Sequence, residues 1–335
     1  MIYNNRHRIN KSIIKRFVKD YNLPIPVVKE DYIPYYLDLY EEDFGSRTKF
    51  DMLFNTIEEI KKKHGGDDNM FLDYYHEVRN NVINAVVKNP SFKKFNHMNM
   101  NEFSIKDKPN VSSNNIYNET NVGKFFISID LKKANFQTLK NIDNEIVFGA
   151  DTYEDLIHMF TPYDYFTESK YFRQVVFGQM NPKRHITAEK YFINVIYNSI
   201  VARFPNYVDK LVSFSNDEIV FKDDFLLYND KLTCFTLRRD IEKICKDLGF
   251  EVHVEFFFLR GYHFNFKTSG TQRTNFYYKD YIFTDGKFKL IAAPLPYHAL
   301  MYKMFRGKEI EEMDYHFDYE GIDAKFNEEF EIEEI

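Results

Sequence analysis

The sequence predicts an α+β fold: an antiparallel sheet with helices on one face, a helical N-terminal region and a C-terminal β-hairpin. Two observations carry this. Apolar residues recur at helical spacing through residues 1–118, and the pattern turns to strand alternation at "KFFISIDL" (124–131). From there the order is strand, helix, strand–turn–strand, helix, strand, which suits an antiparallel layer backed by helices. The chain has 335 residues, of which 44% are hydrophobic and 18% aromatic, enough to build a buried core and against global disorder.

The elements follow in chain order. "MIYNNRHRINKSIIKRFVKDY" is basic and places Ile13, Ile14, Phe17 and Tyr21 near helical spacing. "RTKFDMLFNTIEEIKKK" reads as a helix stopped by Gly65-Gly66, and "MFLDYYHEVRNNVINAVVKN" as one that ends before Pro90. Residues 104–120 are rich in Asn and Ser and read as a loop or linker. In "KFFISIDL", Phe125, Ile127, Ile129 and Leu131 share one strand face, and Phe126, Ser128 and Asp130 the other. A helix is expected from about Pro182 to Phe204, with Asn181 as N-cap and Pro182 in its first turn. "KLVSFSNDEIVFKD" reads as a hairpin, and "LTCFTLRRDIEKICKDLG" as a helix stopped by Gly249. "FEVHVEFFFL" reads as a strand, and "FYYKDYIFTDGKFKLIA" as a hairpin turning at Asp285-Gly286. The expected domains are a helical N-terminal region at 1–118, a sheet domain at 119–268 with a helical insertion at 150–204, a β-hairpin extension at 269–308, and an acidic tail at 309–335.

The net charge of −6 is unevenly spread. Residues 309–335 hold twelve acids and one base, Lys325, so the rest of the chain is about +5. A mildly basic body with an acidic segment permits nucleic-acid binding. Cys234 and Cys245 fall on one expected helix and read as buried small residues in a reducing compartment. No apolar run has the length of a membrane span or a signal peptide. The expected location is therefore the cytoplasm, that of the host if the chain is viral, with no membrane partner.

Within this frame the acids stand out. "SFSNDEIVF" (213–221) puts Asp217 and Glu218 at the turn of a hairpin, and Asp130 ends the first strand. Alone, each reads as an ordinary polar turn or strand end. Together they match the needs of two-metal phosphoryl transfer, where carboxylates from separate elements converge on two divalent ions. The helix after Asn181 adds to this. Lys183, Thr187, Lys190, Asn194, Tyr197 and Val201 fall on one stripe, flanked by Arg184, and Ile186, Ile193, Ile196 and Ile200 on another. A polar stripe beginning at a helix N-terminus suits a phosphate-bearing ligand as well as it suits solvent.

This order of elements resembles the palm domain of nucleic-acid polymerases over residues 120–265. "SIDLKKANFQTLK" is similar to the first catalytic motif of reverse transcriptases, and "LVSFSNDEIVF" resembles their catalytic hairpin, with Asn216 where the first acid usually stands. Lys190-x-x-x-Asn194-x-x-Tyr197 is similar to the nucleotide-binding helix of family B DNA polymerases. The Pro-Gln-Gly segment of reverse transcriptases and the Asp-Thr-Asp-Ser motif of family B are absent, and Asn135, with Phe136 beside it, stands where an aromatic sugar gate is usual. The "SNDE" run also looks like the Ser-Asp-Glu motif of tRNA-histidine guanylyltransferases.

The resemblance implies a palm-like sheet and template-directed nucleotidyl transfer by a polymerase. Its catalytic acids would be Asp130, Asp217 and Glu218, with two Mg²⁺ or Mn²⁺ ions on Asp130, the Leu131 carbonyl and Asp217. Lys183, Arg184 and Lys190 would neutralise the triphosphate, and Asn194, Tyr197 and Asn135 would line the nucleotide. The implied partners are a primer–template and nucleoside triphosphates, with a further protein contact through the acidic tail or the N-terminal region. Two other readings stay open: a guanylyltransferase-like or template-independent transferase, and an inactive palm fold that binds nucleic acid or serves a viral particle.

Overall fold

The computed structural model describes residues 9–106, 109, 111, 116–224, 231–266, 273–282, 287–291, 293–326 and 330–335. It is α+β, as expected, and the sheet is antiparallel. Its strands are β1 (Phe125–Leu131), β2 (Leu211–Phe214), β3 (Glu218–Asp223), β4 (Val252–Phe266), β5 (Arg273–Tyr281) and β6 (Phe288–Ile291), in the order β2-β3-β1-β4-β5-β6. A separate hairpin joins β7 (His316–Tyr319) to β8 (Ile322–Lys325), and β9 (Phe330–Glu334) pairs with β4. The Asp285-Gly286 turn expected between β5 and β6 lies outside the described residues, but the flanking strands pair as a hairpin.

The chain divides into two compact units. One comprises Pro90–Gly149, Asn181–Ala293 and Glu328–Ile335 and holds the sheet; the other comprises Met1–Asn89, Ala150–Met180 and Pro294–Asn327. The sequence reading drew a continuous N-terminal region and an insertion over 150–204. The contacts instead group 150–180 with the N-terminal helices and leave the helix Pro182–Arg203 with the sheet.

Strand alternation sorts the sheet's two faces. Phe125, Ile127, Ile129 and Leu131 of β1 join Ile219 and Phe221 of β3 and Val252, Val254 and Phe256 of β4 in one core. The helices Pro182–Arg203 and Lys231–Asp247 close over that face with Ile193, Ile196, Ile200, Leu237 and Ile241. Cys234 and Cys245 are free thiols buried in the same core, as their spacing predicts. The second helix ends at Gly249, whose φ of +83° and close approach to the Asn141 side chain suit only glycine. The opposite face carries Phe126, Val220, Phe257 and Leu259, packed with Ile116 and Tyr277.

The edge of β4 is shared. Its first half pairs with β1 and its second half, Tyr262–Phe266, with β9. Gly261 stands at the handover, where a Cβ would come within 2.8 Å of Val122 and 2.9 Å of Ile335.

In the other unit, Lys11–Asp20, Ser46–His64 and Met70–Lys88 are the expected helices, with Ile13, Ile14 and Phe17 buried. They surround a buried acid: Tyr75 and Tyr165 donate to the Asp20 carboxylate at 3.0 and 2.6 Å. Burial pushes Asp20 up to about 6 despite these bonds. The stretch expected as an acidic tail is folded rather than free. Asp314 is fully buried, bonded by Tyr35 at 2.5 Å and paired with Lys303 at 3.0 Å, and Phe317 packs on Phe326. The aromatics interleaved among its acids give it a core to join, which net charge alone conceals.

Candidate carboxylate centre

The register of three strands builds the site. In β1, Asp130 lies opposite Glu218 of β3 on one side and His253 of β4 on the other. The Leu131 amide donates to the Asp217 carbonyl at 2.8 Å, which ties the hairpin turn to the end of β1. Ser215 shapes that turn. Its amide donates to the Glu218 carbonyl at 2.9 Å, and its hydroxyl accepts from the Glu218 amide at 2.9 Å and donates to Asp217 Oδ1 at 3.1 Å. Asp130, Leu131, Asp217 and Glu218, expected together from sequence, are brought together here.

The charges are only partly balanced. Burial first, then the charges of Asp217, Glu218 and Glu255, push Asp130 up to about 7, with Lys289 acting the other way. Asp217 is exposed. The Glu218 side chain is turned to other partners: Ser128 donates to its Oε1 at 2.5 Å and the Lys279 ammonium lies 3.5 Å from the same oxygen.

A further acid stands beyond the turn. Glu189, on the helix Pro182–Arg203, is 6% exposed, and burial followed by the charge of Asp217 pushes it up to about 7. Asn135 donates to its Oε1 at 3.0 Å. Sequence reading passed over Glu189 because it sits between the two stripes it recognised; an acid among apolar neighbours on that helix was the available signal. Glu255 and Lys279 were also missed, being spread over β4 and β5 with no motif spacing.

The helix Pro182–Arg203, which the resemblance implies would bind nucleotide, places its residues differently from the expected stripe. Lys183 and Lys190 are exposed. Asn194 and Tyr197 are 7% and 8% exposed, and Tyr197 packs against Phe214 and Phe221 in the helix-facing core. The expected polar stripe therefore runs from solvent into the protein, while Ile186 of the apolar stripe is 39% exposed. Arg184 is engaged with backbone, its guanidinium donating to the carbonyls of Phe95 (3.2 Å) and Met98 and lying over the Phe95 ring. Asn181 is not a side-chain N-cap. Its φ of +57° is left-handed, and its amide group donates to Asn96 at 2.8 Å instead.

Comparison with family models, with curated proteins and with solved structures finds no match to this chain. Among the described residues, no three His, Cys, Asp or Glu side chains form a group able to hold a metal ion by themselves. The donor set nonetheless suits a hard divalent cation. Mg²⁺ takes oxygen ligands, commonly one or two protein carboxylates completed by substrate phosphates and water. Asp130 and Asp217 are the carboxylates that could take that part; burial and then the charge of Asp217 raise Asp130.

Proposed function

We propose that this chain is a palm-type nucleotidyltransferase that extends the 3′ end of a nucleic acid from nucleoside triphosphates. The supporting observation is the strand register that sets Asp130 opposite Glu218 and ties Leu131 to Asp217. It joins Asp130 to acids 87 and 88 residues further along the chain at one end of an antiparallel sheet backed by helices.

Asp130 and Asp217 would hold Mg²⁺ or Mn²⁺, with the Leu131 carbonyl beside them. When bound, such ions lower the pKa of the attacking hydroxyl and offset charge on the triphosphate. Asp130 contributes in its ionised form, and its proton, held up to about 7, must leave for the site to be ready. Glu189, a buried acid held by the Asn135 amide, is close enough to Asp217 to feel its charge. Lys183 and Lys190, exposed on the same helix as Glu189, supply the positive charge that a triphosphate requires.

Primer extension tests this, crossing DNA and RNA templates with both nucleotide types in Mg²⁺ and Mn²⁺. Incorporation that is abolished by Asp130→Asn and by Asp217→Asn is the expected result. Incorporation that persists without a template strand would mark a template-independent transferase. No incorporation under any combination, with nucleic-acid binding unchanged by both substitutions, would mark an inactive fold and overturn the reading.

A further inference from the structure

Behind the carboxylate centre the sheet buries an ammonium. Lys279, on β5, is 3% exposed, on the strand face opposite the helices. Its Nζ lies 2.8 Å from Glu255 Oε2 and 3.5 Å from Glu218 Oε1, and 4.6 Å from the centre of the Phe257 ring. Tyr281 donates to the other Glu255 oxygen at 3.0 Å, and Ser128 to Glu218 Oε1 at 2.5 Å. A buried lysine is costly unless paired and hydrogen-bonded, and a hydrophobic replacement is often at least as stable. Stability therefore gives little reason for a lysine here, and its reach to Glu218 calls for another.

We infer that Lys279 is a positioning residue of the carboxylate centre: with Ser128 it holds Glu218 as a fixed acceptor along the sheet, leaving Asp130 and Asp217 as the cation-facing pair. Glu218 and Asp130 are register neighbours on adjacent strands. A Glu218 free to swing would compete with Asp130 for the ion or share a proton with it. Pinned at Oε1, it stays outside the ligand pair. Glu255 anchors the ammonium, and Tyr281 anchors Glu255. The inference rests on the nucleotidyltransferase reading for its kinetic consequence, but not for its structural one.

The experiment has two arms on the full chain. The first needs no activity: the side-chain carboxyl carbon resonance of Glu218, assigned by its loss in Glu218→Gln, is followed in variants. Lys279→Met is expected to move or broaden it, and Lys279→Arg to restore it. An unmoved resonance in a folded Lys279→Met overturns the inference. Lys279→Met combined with Glu255→Gln removes both buried charges together, and serves the same comparison if the single variant does not fold.

The second arm is a double-mutant cycle on nucleotide incorporation. Lys279→Met is expected to lower kcat on the order of tenfold with KM for the nucleotide little changed, Glu218→Gln, which cannot compete for the ion, to change it little, and the double variant to recover most of the Lys279→Met loss. A double variant that keeps the full Lys279→Met loss would mean that Lys279 does not act through Glu218, and would overturn the inference. A wild-type chain without incorporation defeats the nucleotidyltransferase reading while the resonance arm still decides the role of Lys279.

Discussion

Asp130 is a carboxylate placed where its own charge is disfavoured. Its pKa is raised from the ordinary 3.8 to about 7, so the folded chain binds this proton more tightly than the unfolded chain does. The stability Asp130 contributes is complete below about pH 4 and is lost as pH rises through about 7. Asp130→Asn, which cannot ionise, is therefore expected to stabilise the fold at about pH 8, by on the order of 2 kcal/mol, and to give little at about pH 4. Denaturant melts across pH read this directly. On the proposed function the same substitution is expected to abolish incorporation, a trade of stability against activity. Divalent cation should raise the melting temperature of the wild type at about pH 8 more than at about pH 5, and much less in Asp130→Asn. Glu189, raised from 4.5 to about 7, follows the same sign. Glu189→Gln keeps an acceptor for Asn135 and should also stabilise the fold at alkaline pH. Glu255 behaves oppositely. Burial pushes it up, but the Lys279 and Lys289 charges and the hydrogen bonds from Lys279 and Tyr281 together outweigh this and hold it below its ordinary value.

The helix Pro182–Arg203 separates residues that serve packing from those free to meet a ligand. Tyr197→Ala removes a ring from between Phe214 and Phe221 and should cost about 3 kcal/mol of stability, with the nucleotide KM of the folded fraction unchanged. Lys190→Ala should do the reverse, leaving the melting temperature in place and raising the nucleotide KM by roughly threefold to tenfold. Periodicity made this helix legible, and strand alternation made β1 legible, because both patterns are local. The pairing of Asp130 with Glu218 was legible only through the order of elements, since register depends on which strands become neighbours. The backbone partners of Arg184 and the ring partners of Tyr197 were not legible, because sequence gives the angle of a side chain around the helix but not which neighbour covers it. Asn181 has the residue type of an N-cap, yet its left-handed backbone sends the side chain to Asn96. Lys279 was invisible for a further reason: buried lysines are rare enough that composition argues against expecting one.

At the scale of the molecule, the acidic C-terminal stretch is part of the architecture. β9 continues the edge of β4 where β1 leaves off, and the Ile335 amide donates to the Gly261 carbonyl at 2.9 Å. Removing residues 328–335 is expected to lower the melting temperature and to promote self-association, because the freed edge of β4 offers unpaired backbone groups. Light scattering and thermal melts would show both. The two units are threaded through each other along the chain: neither is one continuous stretch, and the boundaries fall near residues 90, 150, 181, 294 and 328. During synthesis, the sheet must wait for β9 to leave the ribosome before the second half of β4 is paired on that side, and the other unit waits for the hairpin of β7 and β8. A recombination event that copies either unit alone has no single stretch of gene to take. Any single stretch of gene that spans Asp130 and Asp217 therefore carries residues 150–180 of the other unit with it.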